Sequence, residues 1–179
     1  MAFRVPARFG RLSIEFIILI WSCLTVSTYT NLLFHIIYST KYRKPTIDPH
    51  WQDELYGYIG GILRDNRGVL LKAGGVEDHI HLLGKLPPTI AVSDMLRFMK
   101  ANSSKWINEV KKPKKQFEWQ PGYAAFSVSE SQVGSVETYI SNQREHHRTR
   151  SFQEEFLMFL KLHNIECDAR YVFEQEVIQ

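Results

Sequence analysis

His79 and His81 stand two residues apart in the run EDHIHLL, residues 77–83. Side chains alternate along a strand, so this spacing puts both imidazoles on one face, about 7 Å apart, with Ile80 and Leu82 on the other. Two imidazoles on one face can grip one divalent ion. As a bare pair they equally suit two satisfied histidines of a packed strand. A second constellation bears on that choice. In VETYISNQREHH, Tyr139 and Gln143 are four apart on a predicted helix and so share one face. Gln143 offers a carbonyl oxygen, a hard donor suited to Mg²⁺ or Mn²⁺. Tyr139 is the one group on that face able to become covalent, although taken alone it reads as a packing tyrosine. Asp78 has two readings, a carboxylate that orients a histidine or a simple turn residue. His35 reads as a packed sheet residue. His146 and His147 read as the cationic end of a helix, where positive charge suits the dipole. None of these three is assigned to a metal.

These residues need elements to position them. Residues 30–40, TNLLFHIIYST, are apolar and β-branched and predict a buried strand. A basic loop, KYRKP, follows, and then Asp48-Pro49 opens a helix over 51–67. Two strands, 69–73 and 79–85, are predicted with their turn at Gly74-Gly75. A helix over 91–110 precedes the basic turn KKPKK, an aromatic strand within 117–130, a helix over 132–147 and a last amphipathic helix over 152–163. The order predicts an α+β fold of the ferredoxin-like kind: a split β-α-β-β-α-β antiparallel sheet with C-terminal helices added. Helices should cover one face of that sheet and leave the histidine face open.

Composition sets the frame. The 179 residues are 44% hydrophobic and 23% charged, ordinary for one globular domain. A net charge of only +3 means that any nucleic-acid role rests on local patches. Cys23 and Cys167 are far apart with no CxxC, which excludes a disulfide framework and a cysteine-built zinc site and suits a reducing cytoplasm. Arg4, Arg8 and Arg11 precede FIILIWSCLTV, residues 16–26. That run falls short of the roughly 20 apolar residues a membrane span needs, so no stable membrane association is expected. It has the flavour of a secretory signal but is abutted by Glu15 and followed by no small-residue cleavage site. Initiation at Val26 is the preferred reading, with residues 1–26 an extension outside the working fold, 27–150 the catalytic domain, and 151–179 a C-terminal helix and tail.

DHIHLL, WQPGYAAFSVS and VETYISNQREHH, in this order and spacing on this element order, resemble the single-tyrosine insertion-sequence transposases of the HUH endonuclease superfamily. The resemblance covers roughly residues 27–147. It implies His79 and His81 as the histidine pair, Tyr139 as nucleophile and Gln143 as third ligand of Mg²⁺ or Mn²⁺. It also implies cleavage and rejoining of single-stranded DNA, folded into hairpins at element ends, through a 5′-phosphotyrosine. The partner it implies besides DNA is a second copy of the chain, with active sites that can be shared. Substrate contacts are expected from Lys41, Arg43 and Lys44, from Lys112 and Lys114 with Lys111 and Lys115, and from Arg144, Arg148 and Arg150, giving salt-sensitive binding. Phe117, Trp119 and Phe126 could stack bases, but core packing is the simpler reading. The competing readings are a catalytically inactive nucleic-acid binder of the same fold, and a metal-dependent hydrolase that uses water and dispenses with Tyr139.

Overall fold

The computed structural model describes residues 29–168. The expectations about residues 1–26, including Cys23 and a start at Val26, and about the tail at Tyr171–Phe173 lie outside them. The elements are β1 (Leu33–Ser39), α1 (Gln52–Asp65), β2 (Val69–Val76), β3 (His79–Lys85), α2 (Val92–Trp106), β4 (Ala124–Val128), α3 (Val133–Ser141), α4 (Gln143–His146) and α5 (Phe152–Leu162). The strands form one sheet in the order β2-β3-β1-β4, with every neighbouring pair antiparallel. This is the ferredoxin-like arrangement that the element order predicts, with the three helices α3–α5 following β4.

Alternation sorts the sheet residues into two faces. Ile36, Tyr38, Ile80 and Leu82 pack against Leu55, Ile59 and Leu63 of α1 and Met95, Leu96 and Met99 of α2. Phe117 and Trp119 close this core, Trp119 lying edge-on to Tyr38. Each such side chain contributes about 1.5–3 kcal/mol by leaving water. Phe126 is buried on the opposite face. All three aromatics weighed as base-stacking residues are therefore core residues.

The histidine face is not open. The apolar stripe of α5, Phe152, Phe159 and Leu160, packs over Ile37, Ala124 and Phe126. A capping box between Ser151 and Glu154 fixes the start of that helix. An amphipathic helix needs a partner for its apolar face, and the uncovered side of the sheet supplies it.

The β2–β3 turn is Glu77-Asp78, with Val76 opposite His79, rather than Gly74-Gly75. The glycines lie inside β2 for a different reason. A Cβ on Gly74 would stand 2.3 Å from the carbonyl oxygen of Ile140 in α3. Glycine at this position lets α3 lie directly on the sheet. The predicted helix over 132–147 is likewise two helices, broken at Asn142 (φ −98°, ψ 16°), whose N–H turns back to the carbonyls of Thr138 and Tyr139.

Candidate metal and nucleophile site

Each histidine of the site is held by one ring nitrogen and aims the other at a common point. His79 and His81 are fully buried. His79 Nδ1 lies 2.6 Å from Asp78 Oδ1, and Asp78 Oδ2 accepts from Arg43 at 2.5 Å. Burial works to raise the Asp78 carboxyl, but its bond to His79, the His79 charge and Arg43 hold it down at about 2. An ionised carboxylate can only accept, so Nδ1 of His79 is the donor and Nε2 is the nitrogen turned toward the common point. The carboxylate that the sequence left between two readings thus orients a histidine. His81 Nδ1 lies 3.0 Å from Nε2 of His35. Burial holds His81 at about 4; burial and the neighbouring His81 hold His35 at about 3. Both rings are therefore neutral near pH 7, with Nε2 of His81 free of its own hydrogen bond. His147 Nδ1 faces the carbonyl of Arg150 at 3.1 Å, so it too is the donor nitrogen, and Nε2 turns inward to 3.1 Å from Gln143 Oε1.

Glu155 of α5 stands at the centre. Its Oε1 accepts from the Tyr139 hydroxyl in a short hydrogen bond and from Gln143 Nε2 at 3.0 Å. Its Oε2 faces His147 Nε2 at 3.3 Å, His81 Nε2 at 3.4 Å and His79 Nε2 at 3.8 Å. Burial acts to raise the Glu155 carboxyl, but His147, His81 and the Tyr139 hydroxyl together hold it far below the usual carboxylate range. Burial and the Glu155 carboxylate push the Tyr139 phenol well above its ordinary value. The same carboxylate raises His147.

Three atoms, His79 Nε2, His81 Nε2 and Glu155 Oε2, are buried without a hydrogen-bond partner. Orphaned polar atoms in a dry interior cost roughly 1–3 kcal/mol each. Here they point at one another with the chemistry of a ligand set. One ligand atom from each of His79, His81, His147 and Glu155 lies within 4.8 Å of all the others. These residues can hold a divalent cation.

The structure thus brings His79, His81, Tyr139 and Gln143 together within one chain, despite the helix break between the last two. It adds His147, which the sequence reading left at a helix end, and Glu155, which that reading did not single out. Both carried a signal. His147 extends the four-residue spacing of Tyr139 and Gln143 by one more step. Glu155 is a carboxylate inside the apolar stripe of Phe152, Phe156 and Phe159.

The basic residues divide. Arg43, Arg144, Arg148 and Arg150 line an open cleft that also contains Asp78, His147 and Phe152, beside the cluster. Arg43 stacks over Phe152 at 4.5 Å, and Arg144 reaches Glu77 at 3.5 Å. Lys41 pairs with Glu118 at 2.9 Å. Neither Lys44 nor Lys112 and Lys114 line this cleft. No helix among the described residues is long and apolar enough to cross a membrane.

A four-stranded antiparallel sheet that collects a histidine pair and a helical tyrosine at one point defines a class, and sequence comparison agrees with it. Residues 28–143 match the model of the family described as transposase IS200 like. The chain belongs to that family. It is 30% identical over 128 residues to the transposase for insertion sequence element IS200 of Salmonella typhimurium, covering 66% of this chain and 80% of that one. It is 25% identical over 120 residues to the ISDra2 transposase TnpA of Deinococcus radiodurans, covering 64% and 86%. Among solved structures, a candidate transposase from Deinococcus radiodurans superposes with a TM-score of 0.53 at 25% identity, over 65% of this chain and 94% of that one. The REP-associated tyrosine transposase bound to a REP hairpin shares the fold, with a TM-score of 0.51 at 16% identity over 68% and 72%.

Proposed function

We propose that this transposase cleaves and rejoins single-stranded DNA through a covalent tyrosine ester, with Tyr139 as nucleophile and a divalent cation at His79 and His81. The observation that carries the proposal is the meeting of the Tyr139 hydroxyl with the buried His79, His81, Gln143 and Glu155 cluster. By its family resemblance Gln143 is the third ligand, and the ion read from the sequence is Mg²⁺ or Mn²⁺. When bound, the cation would lower the cost of attacking an anionic phosphodiester.

The residues of the chain account for the rest. Tyr139 Oη forms a bond to phosphorus, the P–O3′ bond breaks, and the products are a 5′-phosphotyrosine and a free 3′-OH. A proton leaves the phenol and one is gained by the departing 3′-oxygen. The ester keeps the bond energy, so a 3′-OH can reverse the step and join a new end without ATP. Burial and the Glu155 carboxylate that accepts from it tighten the hold of Tyr139 on its proton, so a base must take that proton as the oxygen attacks phosphorus. The cleft lined by Arg43, Arg144, Arg148 and Arg150 is the path we assign to the DNA backbone, and a hairpin-forming single strand is the substrate class. Lys41, Lys44, Lys112 and Lys114 remain in the proposal as outer contacts. Assembly as a homodimer, which the resemblance implies, and work in the cytoplasm belong to the same reading.

The test is incubation with single-stranded hairpin DNA and Mn²⁺ or Mg²⁺, followed by a denaturing gel. A protein–DNA adduct that disappears in Tyr139→Phe is expected. Cleavage that survives the substitution points to water as nucleophile; binding without cleavage points to a non-catalytic binder.

A further inference from the structure

Four side chains, not the histidine pair with Gln143 alone, converge on one point. Tetrahedral coordination with bonds of about 2.1 Å separates ligand atoms by about 3.4 Å. Glu155 Oε2 lies 3.4 Å from His81 Nε2, 3.3 Å from His147 Nε2 and 3.8 Å from His79 Nε2. Those three edges need shifts of a few tenths of an ångström, and the whole set lies within 4.8 Å, so the imidazoles must draw together by about an ångström to close on one ion. Gln143 is placed differently: its Nε2 donates to Glu155 Oε1, while its Oε1 lies 3.1 Å from His147 Nε2, a contact that an ion on that nitrogen would displace. It holds Glu155 with Oε2 turned inward. Every nitrogen-bearing member is anchored behind the ring, His79 by Asp78, His81 by His35 and His147 by the Arg150 carbonyl. The Asp78 carboxylate and the Arg150 carbonyl can only accept, which makes Nδ1 the donor nitrogen in His79 and His147, as a metal on Nε2 needs.

We propose that His79, His81, His147 and Glu155 form a resident transition-metal site that fills without DNA and takes Zn²⁺ or Co²⁺ in preference to Mg²⁺. Three imidazoles and one carboxylate make a nitrogen-rich set, which suits Zn²⁺ and its neighbours; Mg²⁺ favours carboxylate, carbonyl and water oxygens in an octahedron. Mg²⁺ sites of enzymes acting on phosphates commonly draw ligands from the substrate. A set of four protein groups needs none. The C-terminal helix α5 is on this account part of the metal centre, because it carries Glu155. The inference rests on the proposed metal role of the histidine pair and replaces the Gln143 ligand and the Mg²⁺ or Mn²⁺ of that reading with His147, Glu155 and a nitrogen-preferring ion.

Absorption spectroscopy of the DNA-free full chain titrated with Co²⁺ tests it. The wild type should develop the intense visible bands of four-coordinate cobalt, lost on adding Zn²⁺ and unaffected by a large excess of Mg²⁺. His147→Gln and Glu155→Gln should each convert the spectrum to the weak bands of six-coordinate cobalt and weaken Zn²⁺ binding, measured by calorimetry, about tenfold or more. His147 is partly exposed, so its variant gives a reading even if the Glu155 variant fails to fold. Three results overturn the proposal: no ion bound without DNA, Mg²⁺ competing on equal terms, or cobalt bands unchanged in His147→Gln. The adduct assay reads Tyr139 separately. An adduct with cobalt bands indifferent to His147 and Glu155 rejects this ligand set alone, whereas normal metal binding without an adduct rejects the transposition chemistry alone.

Discussion

The two faces of the sheet are built from alternate residues of the same strands and are satisfied in opposite ways. Toward α1 and α2, Ile36, Tyr38, Ile80 and Leu82 meet apolar partners and need nothing further to be stable. Toward α3–α5, His35, His79 and His81 are just as buried, yet the cluster leaves polar atoms unpaired around Glu155. Burial alone therefore does not identify a core. Both faces bury apolar side chains, but the second, beside its cluster of Ile37, Phe126 and Phe159, also holds polar atoms in a dry place, where a cation would be bound strongly.

The comparison can be broken by truncating adjacent residues of β3. Leu82→Ala should cost about 2–5 kcal/mol of stability in chemical denaturation. It should nevertheless keep any stabilisation by metal, about 2.7 kcal/mol when the ion is at 100 times its dissociation constant. His81→Ala should lose that metal-dependent gain entirely. If both variants respond to metal alike, the histidine face is an ordinary core.

The next largest effect is expected at Gly74. An added methyl group would meet the Ile140 carbonyl and push α3 off the sheet. Gly74→Ala should cost about 1–3 kcal/mol and lower adduct formation more than a distant variant of equal stability, because α3 carries Tyr139. Unchanged adduct yield at reduced stability would show that the seating of α3 does not govern the nucleophile.

A smaller effect is expected behind the metal. Asp78→Asn keeps the shape of the turn but weakens the orientation of His79, and it should reduce metal affinity about 10–100-fold. The smallest effects belong to the cleft. Arg144→Ala and Arg148→Ala should each lower the slope of log affinity against log salt for single-stranded DNA by about 1. Lys112→Ala and Lys114→Ala, outside the cleft, should move it less; the reverse order would relocate the DNA path.

Much of this was legible because it obeys local periodicity. The alternation HIHLL put His79 and His81 opposite Ile80 and Leu82, and the element order carried the sheet topology. The Tyr139–Gln143 pairing holds although the single helix that the periodicity predicts is broken, since the break at Asn142 falls one residue before Gln143 and the turn still brings both side chains to Glu155. What was not legible depends on contacts far apart in the chain. Gly74-Gly75 looks like a turn until α3 is seen resting on it. The covered histidine face and the place of Glu155 follow from how α5 packs back on the sheet, which no spacing within residues 152–162 specifies. A lone carboxylate in an apolar stripe was the one local hint.

Tyr139 is the residue on which the proposed chemistry turns. Mass spectrometry of the protein after reaction with single-stranded hairpin DNA, a divalent cation and nuclease digestion should find a nucleotide esterified to the peptide containing Tyr139, and none in the Tyr139→Phe protein. A nucleotide attached at another residue, or cleaved DNA with unmodified Tyr139, would contradict it.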